Sequence, residues 1–505
     1  MTRISGLVLS ICAALALAGA ARASLAVGVT EDAGKTLDGG AAFFATMNDI
    51  GLTVNRVSLT WDPSQPGVIQ GQAEIQSWLP QAQAAGVRII FALQPAKATD
   101  LTSSPAAPAQ FAAFARQVAQ TFPQVKDFVI GNEPNQPRFW RPQFGPTDKP
   151  VSAAAYEPVL AQSYDALKSV DPAITVIGVG LSPRGNDSPH APSNSSRSPV
   201  RFLHDLGVAY RASHRARPLM DEFAFHPYPA RNADAPEVGY IWPNAGVPNL
   251  DRIKQAVWDA FHGTAQPTFG EEGIRTFAKP LLFDLDEVGW QVTVPPALAG
   301  LYFGKETGPT IDEQTQADDY ADTIKLMECD PSVRSLNFFH LADEADLDRW
   351  QSGLERVDGS HRPSYDAVKQ TIAQTHGTCQ DAPSAWIHTT QVVSPYAAWG
   401  NLRRSRPLRR RLSFMAGAGE EATFRAGLFK AGTGKAVLAR RLRLGRPKPV
   451  LTAKGLIKAK GRVVYFPSRR LKPGRYVFGI RMTATMNPQR VTVLSSPAFR
   501  VGVGR

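Results

Sequence analysis

The chain has 505 residues, of which 43% are hydrophobic and 20% are charged, so a wholly disordered or collagen-like protein is excluded and two domains are expected. The net charge of +12 would suit a nucleic-acid-binding protein, but it is unevenly divided. Residues 385–505 hold 26 Lys and Arg against two Asp and Glu, a net charge of +24, which leaves −12 for residues 1–384.

The first 23 residues have the pattern of a secretory signal peptide. Met1-Thr2-Arg3 is a short positive region, Ile4–Ala20 is apolar, and Ala21-Arg22-Ala23 is a small-x-small cleavage site. A membrane anchor formed by the same apolar stretch is the alternative. Since no other stretch of about 18 apolar residues occurs, we expect a secreted or cell-envelope protein without a transmembrane segment after cleavage.

Residues 24–380 alternate between apolar, strand-like runs and helix-like segments. The eight strand-like runs are Leu25–Val29, Thr53–Leu59, Val87–Leu93, Asp127–Gly131, Thr175–Val179, Glu222–His226, Leu281–Glu287 and Leu336–His340. The eight helical segments are Gly40–Ile50, Ala73–Ala85, Pro108–Phe122, Ala153–Val170, Val200–His214, Leu250–Gly263, Glu313–Met327 and Ser364–Gln374.

This alternation predicts an α/β fold, a (β/α)8 TIM barrel. The strand-like runs are rich in Val, Ile, Leu and Phe rather than cleanly alternating, which is typical of a parallel sheet that is covered on both faces. A doubly wound open sheet is the alternative. It would normally carry a glycine-rich nucleotide-binding turn after the first strand, and Val29–Gly34 has no such pattern.

Two cysteines, Cys329 and Cys379, follow the proposed signal peptide. In an oxidising compartment they are a candidate disulfide, and two free buried thiols are the alternative. Their number and spacing do not match a zinc site.

The sequence pattern changes after Cys379, where the alternation of strand-like and helix-like segments ends. Residues 381–395 are predicted to be a linker, and residues 396–505 contain short strand-like runs separated by turns such as Lys472-Pro473-Gly474. This spacing predicts a small β-sandwich, similar to immunoglobulin-like or fibronectin-like modules. The predicted runs are Arg411–Met415, Ala422–Phe429, Val437–Leu444, Arg462–Phe466, Arg475–Arg481 and Gln489–Leu494.

Polar residues stand where the predicted barrel strands end, which is where barrel enzymes carry their chemistry. Asn132-Glu133-Pro134 follows the fourth run, and Glu287 ends the seventh. Two carboxyl groups facing each other across a barrel mouth are what glycoside hydrolysis requires. Glu271 and Glu272 compete with Glu287, but no strand-like run precedes them.

These motifs, together with His226-Pro227-Tyr228 after the sixth run, resemble clan A of the glycoside hydrolases. This clan, also called the four-seven superfamily, includes cellulase-like and xylosidase-like families. The resemblance implies that Glu133 is the general acid/base and Glu287 the nucleophile. It also implies that Asn132 binds the sugar 2-hydroxyl and that Tyr228, beside His226, hydrogen-bonds the nucleophile.

The resemblance further assigns Arg56, on the second strand, to support of the nucleophile, and a buried structural ion pair is the alternative for this residue. Clan members often carry a Trp at the end of strand eight as a floor for the sugar, where this chain has Phe339-His340-Leu341. We therefore expect Trp350, and also Trp290, to stack on sugar, although tryptophans are more often core residues. Asp286 should point into the barrel wall or toward a helix, because neighbours on a strand alternate.

The sequence thus predicts a secreted, retaining glycosidase acting on β-linked oligo- or polysaccharides without a metal or cofactor. The acid must hold its proton while the nucleophile is ionised, so the site should treat the two glutamates differently. The strong positive charge of the module predicts an anionic partner, namely a cell-envelope polymer, an acidic polysaccharide or a membrane surface, and no specific nucleic-acid motif is present. For this charge, the alternative is that it serves only solubility or contact with the acidic barrel. The alternative is a non-catalytic, glycan-binding barrel anchored by that module.

Overall fold

A computed structural model describes residues 24–274, 279–399, 412–431, 442, 449–459, 461–466 and 471–501. Its N-terminal part is a closed barrel of eight parallel strands in sequential order. The strands are β1 (Ala26–Thr30), β2 (Val54–Trp61), β3 (Arg88–Pro95), β4 (Asp127–Ile130), β5 (Thr175–Leu181), β6 (Glu222–Phe225), β7 (Phe283–Val288) and β8 (Val333–Phe338). The barrel and all eight predicted strands are confirmed.

A helix follows each strand and covers the outside of the barrel. The helices are α1 (Ala41–Ile50), α2 (Gln72–Ala84), α3 (Ala107–Thr121), α4 (Ser152–Val170), α5 (Pro199–Ala212), α6 (Leu250–Phe261), α7 (Glu313–Glu328) and α8 (Pro363–Thr375). In α3, the apolar residues at helical spacing, Phe111, Phe114, Ala115 and Val118, are all buried. The periodic apolar face is therefore what seats this helix against the strands.

The interior of the barrel is filled, so chemistry is confined to its rim. Small and branched side chains form the central layer: Val54, Ile90, Ala92, Val129, Ile177 and Ala224. At the amino ends of the strands, Arg88 binds Asp284 at 2.8 Å and Arg334 binds Glu222 at 2.6 Å. The carboxyl ends are left to carry a site.

Cys329 and Cys379 are joined by a disulfide, which ties the end of α7 to the segment after α8. The bond spans 50 residues of sequence, so it restricts the unfolded chain considerably. Of the two alternatives, the paired cysteines are the one that the structure supports.

Removing this disulfide should lower the free energy of unfolding by about 4 kcal/mol, because that is the closure entropy of a loop of this length. Cys329→Ser, Cys379→Ser and the double variant should lose the same amount, since any one of them abolishes the bond. Urea unfolding of the three variants checks this. A double variant within about 1 kcal/mol of wild type would contradict it, being below the usual 2–4 kcal/mol.

The C-terminal module is built from two antiparallel sheets, as predicted. Its described strands are β9 (Tyr396–Ala398), β10 (Ser413–Gly417), β11 (Ala422–Lys430), β12 (Leu451–Ile457), β13 (Arg462–Tyr465), β14 (Gly474–Ala484), β15 (Val491–Ser495) and β16 (Phe499–Val501). Strands β9, β12 and β16 were not predicted, and most of the predicted run Val437–Leu444 lies outside the described residues. The two sheets enclose a core that includes Phe414, Phe424, Leu428, Phe478 and Ile480.

The segment 381–395, predicted to be a linker, lies against the barrel. Trp386 is buried in the barrel core, and the His388 ring stacks on Trp258 of α6 with centroids 4.0 Å apart. Val392 belongs to the core of the module instead. This segment therefore connects the two cores by packing on both.

The only two acidic residues of 385–505, Glu420 and Glu421, both lie in ion pairs near the barrel. Glu421 faces Arg201 of α5 at 3.3 Å. Glu420 pairs with Arg490, which also lies 3.0 Å from Asp259 of α6. Both negative charges of the module are thus paired with arginines on the side that faces the barrel.

The proposed signal peptide, residues 1–23, lies outside the described residues. Among those described, no helix has both the length and the apolar character needed to cross a bilayer.

Candidate active site

Glu133 stands in a turn that immediately follows β4. Gly131 has φ 86° and Glu133 itself has φ 38°, in the left-handed region that non-glycine residues rarely adopt. The Glu133 N–H donates to the Gly180 carbonyl at 2.8 Å, which holds the turn against β5. Such a backbone costs about 1–3 kcal/mol and persists where the surroundings enforce it, often at functional sites.

Glu287 lies near the end of β7 and is held by two partners of different kinds. The Arg56 guanidinium approaches Oε1 at 3.1 Å, and the Tyr228 hydroxyl donates to Oε2 at 3.1 Å. The competing carboxylate Glu271 lies elsewhere, bound to His388 at 2.7 Å where 381–395 packs on the barrel. The structure therefore brings Glu287, and not Glu271, to the site.

His226 is fully buried between carboxylates. Its Nδ1 lies 3.0 Å from Glu133 Oε1, and its Nε2 lies 3.1 Å from Asp286 Oδ1. Two carboxylates within ion-pairing distance, one on each side of the ring, favour the charged imidazolium form. Burial lowers the pKa of His226, but the charges of Glu287 and Asp286 outweigh it and raise the pKa to about 10.

The carboxyl groups of Glu133 and Glu287 are close neighbours. One oxygen from each, together with a His226 ring nitrogen, forms a set of atoms that all lie within 4.8 Å of one another. Carboxyl groups about 5–5.5 Å apart serve retaining glycosidases, and those about 6.5–9.5 Å apart serve inverting ones. The close approach of one oxygen from each carboxyl group is nearer to the shorter of these two spacings.

The charges of the site balance when it holds one extra proton. Arg56 and His226 are two cations, whereas Glu133, Glu287 and Asp286 are three carboxyl groups, all in contact. Burial raises the pKa of Glu287, and the charges of His226 and Arg56 act in the opposite direction. From the sequence, we expected Arg56 and Tyr228 to keep Glu287 ionised. The sequence analysis did not include burial, which raises the pKa of Glu287 and so opposes its ionisation.

One proton shared within such a group gives the arrangement that acid/base catalysis requires, with one carboxyl group neutral and another ionised. The pKa of the Tyr228 hydroxyl is raised well above its usual value by burial and by Glu287. Tyr228 therefore stays protonated and remains a donor to Glu287.

The imidazolium of His226 should make stability pH-dependent. Its folded pKa of about 10 exceeds the usual 6.5, so its stabilising contribution is complete below about pH 6.5 and is lost as the pH rises toward 10. The melting temperature of wild type should consequently fall more between pH 7 and pH 10 than that of His226→Gln. Equal falls in both proteins would show that His226 is neutral in the folded state.

Asn132 lies between the acid/base candidate and the second strand. Its Oδ1 accepts a hydrogen bond from Arg56 Nη2 at 2.8 Å. This bond fixes the orientation of the amide and leaves its NH2 group to donate to a ligand. The predicted hydroxyl-binding role of Asn132 is compatible with this placement.

Three aromatic rings form one wall of the site. The Trp350 ring lies 5.1 Å from Tyr228 and 5.7 Å from Phe339, between centroids, and Trp350 is partly exposed. The end of β8 lacks the tryptophan that would form a floor for the sugar. Trp350, from the loop that follows β8, lies beside Phe339 at that place instead.

Trp290 does not line the site, and the prediction that it stacks on sugar is wrong. Its side chain is fully buried, packs edge-on against Tyr320 of α7, and donates its indole N–H to the Asp234 carbonyl at 2.9 Å. No face of the ring is open to a ligand. It is a core residue under the mouth of the barrel.

Asp286 is a site residue that sequence reasoning placed on the wrong side of the strand. It points inward and binds Arg56 Nε at 3.0 Å as well as His226. Asp284 and Asp286, two residues apart, both point inward as alternation requires. The irregular pairing of β7 with β8 between Leu285 and Val288 lets the next residue, Glu287, reach the site as well. The three consecutive letters Leu285-Asp286-Glu287 carry no signal of this irregularity.

His340 is a second residue whose role was not predicted. Its Nδ1 lies 3.0 Å from the Thr30 carbonyl, and its ring approaches Glu31 and Glu344 at 3.6 and 3.7 Å. Burial lowers the pKa of His340, but Glu344 and Glu31 outweigh it and raise the pKa. The ends of β1 and β8 are thereby joined beside the catalytic pair.

Glu133, His226 and Glu287 also have the donor atoms and the proximity to hold a metal ion. Arg56, 3.1 Å from Glu287, supplies positive charge to the same carboxylate. A guanidinium beside a ligand carboxylate opposes the binding of a cation, so the donor set favours proton chemistry over a resident metal.

No family model and no curated protein matches the chain. Among solved structures, it is similar to a family 39 glycoside hydrolase from the gut symbiont Bacteroides cellulosilyticus WH2, at 17% identity over 81% of this chain and 76% of that one, with a TM-score of 0.49. A monomeric beta-xylosidase from Caulobacter crescentus CB15 is 15% identical over 89% and 96%, with a TM-score of 0.42. A GH5_18 protein from Streptomyces cattleya, in complex with GlcNAc, is 16% identical over 72% and 83%, with a TM-score of 0.45. At these values, the case for a function rests on the site itself.

Proposed function

We propose that this protein is a retaining glycoside hydrolase that cleaves β-linked glycans. The observation that carries the proposal is that one carboxyl oxygen of Glu133 lies within 4.8 Å of one carboxyl oxygen of Glu287, at the carboxyl ends of strands four and seven. The two groups differ in their partners, which suits them to two different roles.

In the first step, Glu287 acts as nucleophile. Its carboxylate attacks the anomeric carbon, and the bond from that carbon to the leaving oxygen breaks. Glu133 gives its proton to the departing oxygen, so the leaving group departs as a neutral alcohol and a glycosyl ester forms on Glu287. Arg56 and the Tyr228 hydroxyl, both 3.1 Å from Glu287, orient the attacking carboxylate.

In the second step, Glu133, now ionised, takes a proton from water. The oxygen of that water attacks the anomeric carbon, and the ester bond to Glu287 breaks. Glu133 then holds the proton and Glu287 is again a carboxylate, so both groups have returned to their initial states. Since each displacement inverts the anomeric carbon, the product has the configuration of the substrate. His226, which contacts Glu133 and Asp286, keeps the group charge-balanced throughout.

Hydrolysis of a panel of 4-nitrophenyl β-glycosides, namely glucoside, xyloside, mannoside and galactoside, tests the proposal. Wild type should release nitrophenol from at least one, and the double variant Glu133→Gln/Glu287→Gln should release none. Glu272→Gln removes an exposed carboxylate outside the site and should remain active. Each aryl glycoside carries a single sugar, so the panel does not detect an enzyme that requires a longer chain. Short β-linked oligosaccharides are therefore tested in parallel. Binding of oligosaccharides without any hydrolysis would favour the non-catalytic barrel.

We further propose that the protein is exported and that its basic module binds an anionic polymer of the cell envelope. Two exposed cations stand directly opposite each other on neighbouring strands of the module, Arg425 of β11 and Lys454 of β12. Like charges directly opposite in a sheet are destabilising, so a bound polyanion would relieve the repulsion.

The full chain carrying Arg425→Gln/Lys454→Gln should elute from an immobilised polyanion at lower salt than wild type. The variant makes fewer contacts with the polyanion, so its binding releases fewer counterions and is weaker. Lys149→Gln/Lys305→Gln removes the same charge from exposed positions of the barrel and controls for net charge. Equal elution of the two double variants would refute the site in the module.

A further inference from the structure

A cavity of about 260 Å³ opens beside the catalytic pair. It lies at the carboxyl ends of β2, β3 and β4, where it is lined by Thr60, Gln94, Asn132, Arg138 and Phe139, among others. Its volume is near the lower end of small-molecule sites, which begin at about 300 Å³. Asn132 belongs both to this cavity and to the catalytic group, so an occupant would adjoin the reacting sugar.

Arg138 is the only charged residue in the lining of this cavity. Within the described part of the chain, its guanidinium forms no ion pair, and it lies 5.6 Å from the centroid of the Phe139 ring. By contrast, the neighbouring Arg141 donates its Nε–H to the Pro137 carbonyl at 2.7 Å and stands outside the lining. One arginine of this loop is thus anchored to the protein, and the other is available to a ligand.

The loop that carries Arg138 is well anchored. The Phe139 and Trp140 N–H groups both donate to the Gln136 carbonyl, at 3.1 and 3.0 Å, and the Arg141 N–H donates to Ala98 at 2.7 Å. Gln143 donates to the Pro134 carbonyl at 2.9 Å, which ties the loop back to the residue after Glu133. A turn held in this way fixes the backbone that carries Arg138 relative to the acid/base candidate, and the exposed Arg138 side chain extends from it.

We propose that this cavity is a subsite for a sugar that carries a carboxylate, a uronic acid, next to the bond that is cleaved. A guanidinium presents N–H groups in a planar fork that matches a carboxylate, and the cavity offers no acidic residue to neutralise it. Thr60 and Gln94 supply the neutral donors and acceptors that hydroxyl groups need. The assignment rests on the proposed function and narrows its substrate class to acidic, β-linked glycans.

The experiment compares matched pairs of β-linked oligosaccharides that differ only at C6, where one member has a hydroxymethyl group and the other a carboxylate. Wild type should favour the uronate member in kcat/KM by about 10- to 100-fold, the range of one charge-assisted hydrogen-bonded pair. Arg138→Gln should abolish the preference, because kcat/KM should fall much more for the uronate member, which loses a charge-assisted contact, than for the neutral member. Arg138→Lys should retain part of it, because the charge remains but the fork is lost.

Arg141→Gln is the matched control, since it removes an exposed arginine of the same loop that does not line the cavity. It should keep the full preference. A wild-type preference for the neutral member, or equal effects of Arg138→Gln and Arg141→Gln, would overturn the subsite. Calorimetric binding of the same oligosaccharides keeps the two proposals separate: uronate binding that depends on Arg138 without any hydrolysis would support the subsite and contradict the glycosidase.

Discussion

Replacing Glu287 by Gln should lower kcat by at least about 10⁴-fold, a loss of about 5 kcal/mol of transition-state stabilisation. The amide is nearly isosteric but cannot attack the anomeric carbon, so the first displacement is blocked. It also leaves the Arg56 guanidinium, which faces Glu287 at 3.1 Å, with one carboxylate fewer. Nitrophenol release on the best substrate of the panel measures the effect.

A folded variant is needed for this result to be informative. Glu287→Gln should bind substrate and should unfold cooperatively, because Tyr228 can still donate to the amide oxygen. The remaining carboxylate of Asp286 keeps a partner for Arg56 at 3.0 Å. A correctly folded Glu287→Gln protein with more than a tenth of wild-type activity would contradict the nucleophile assignment.

Replacing Glu133 by Ala should give a loss that depends on the leaving group. Poor leaving groups, such as a second sugar, need the proton that Glu133 supplies, and we expect kcat/KM to fall by about 10²–10⁴-fold, the usual range for general acid catalysis. For nitrophenyl glycosides, kcat/KM should fall much less, because nitrophenolate departs without protonation. The glycosyl ester on Glu287 should then accumulate, since no base activates water.

Azide separates this role from a structural one. It is a nucleophile that needs no general base, so it should accelerate turnover of Glu133→Ala on nitrophenyl substrates and yield a glycosyl azide. It should not accelerate Glu287→Gln, in which no ester forms. Losses that are equal for good and poor leaving groups, without azide rescue, would remove Glu133 from the acid/base role.

The fold was predictable because apolar runs and helical periodicity are local properties of this chain. Most residues of the eight barrel strands are buried, so their sequences are rich in Val, Ile, Leu and Phe and do not alternate cleanly between apolar and polar residues. Strand β12 was missed because Thr452, Lys454 and Gly455 interrupt its pattern, and it forms by pairing with β11 over seven residues. Tertiary pairing, not local preference, makes it a strand.

The meeting of Glu133 and Glu287 was predictable because both residues stand at strand ends, where parallel topology brings side chains together. Asp286 was placed on the outer face because strict alternation was assumed after Glu287 had been assigned to the site, and the irregular pairing of β7 with β8 breaks that alternation. Trp290 was misplaced because its partners, Tyr320 and the Asp234 carbonyl, are distant in sequence. Arg138 lies in a loop whose path depends on contacts with Ala98 and Gln136, which no local pattern encodes.

The most direct test of a retaining mechanism is the anomeric configuration of the first product, followed by proton NMR during the first minutes of hydrolysis. A substrate of β configuration should give the β anomer first, before mutarotation, because carboxyl oxygens within 4.8 Å support two successive displacements through Glu287. Initial appearance of the α anomer would mean a single displacement by water, and it would contradict the roles given to both glutamates.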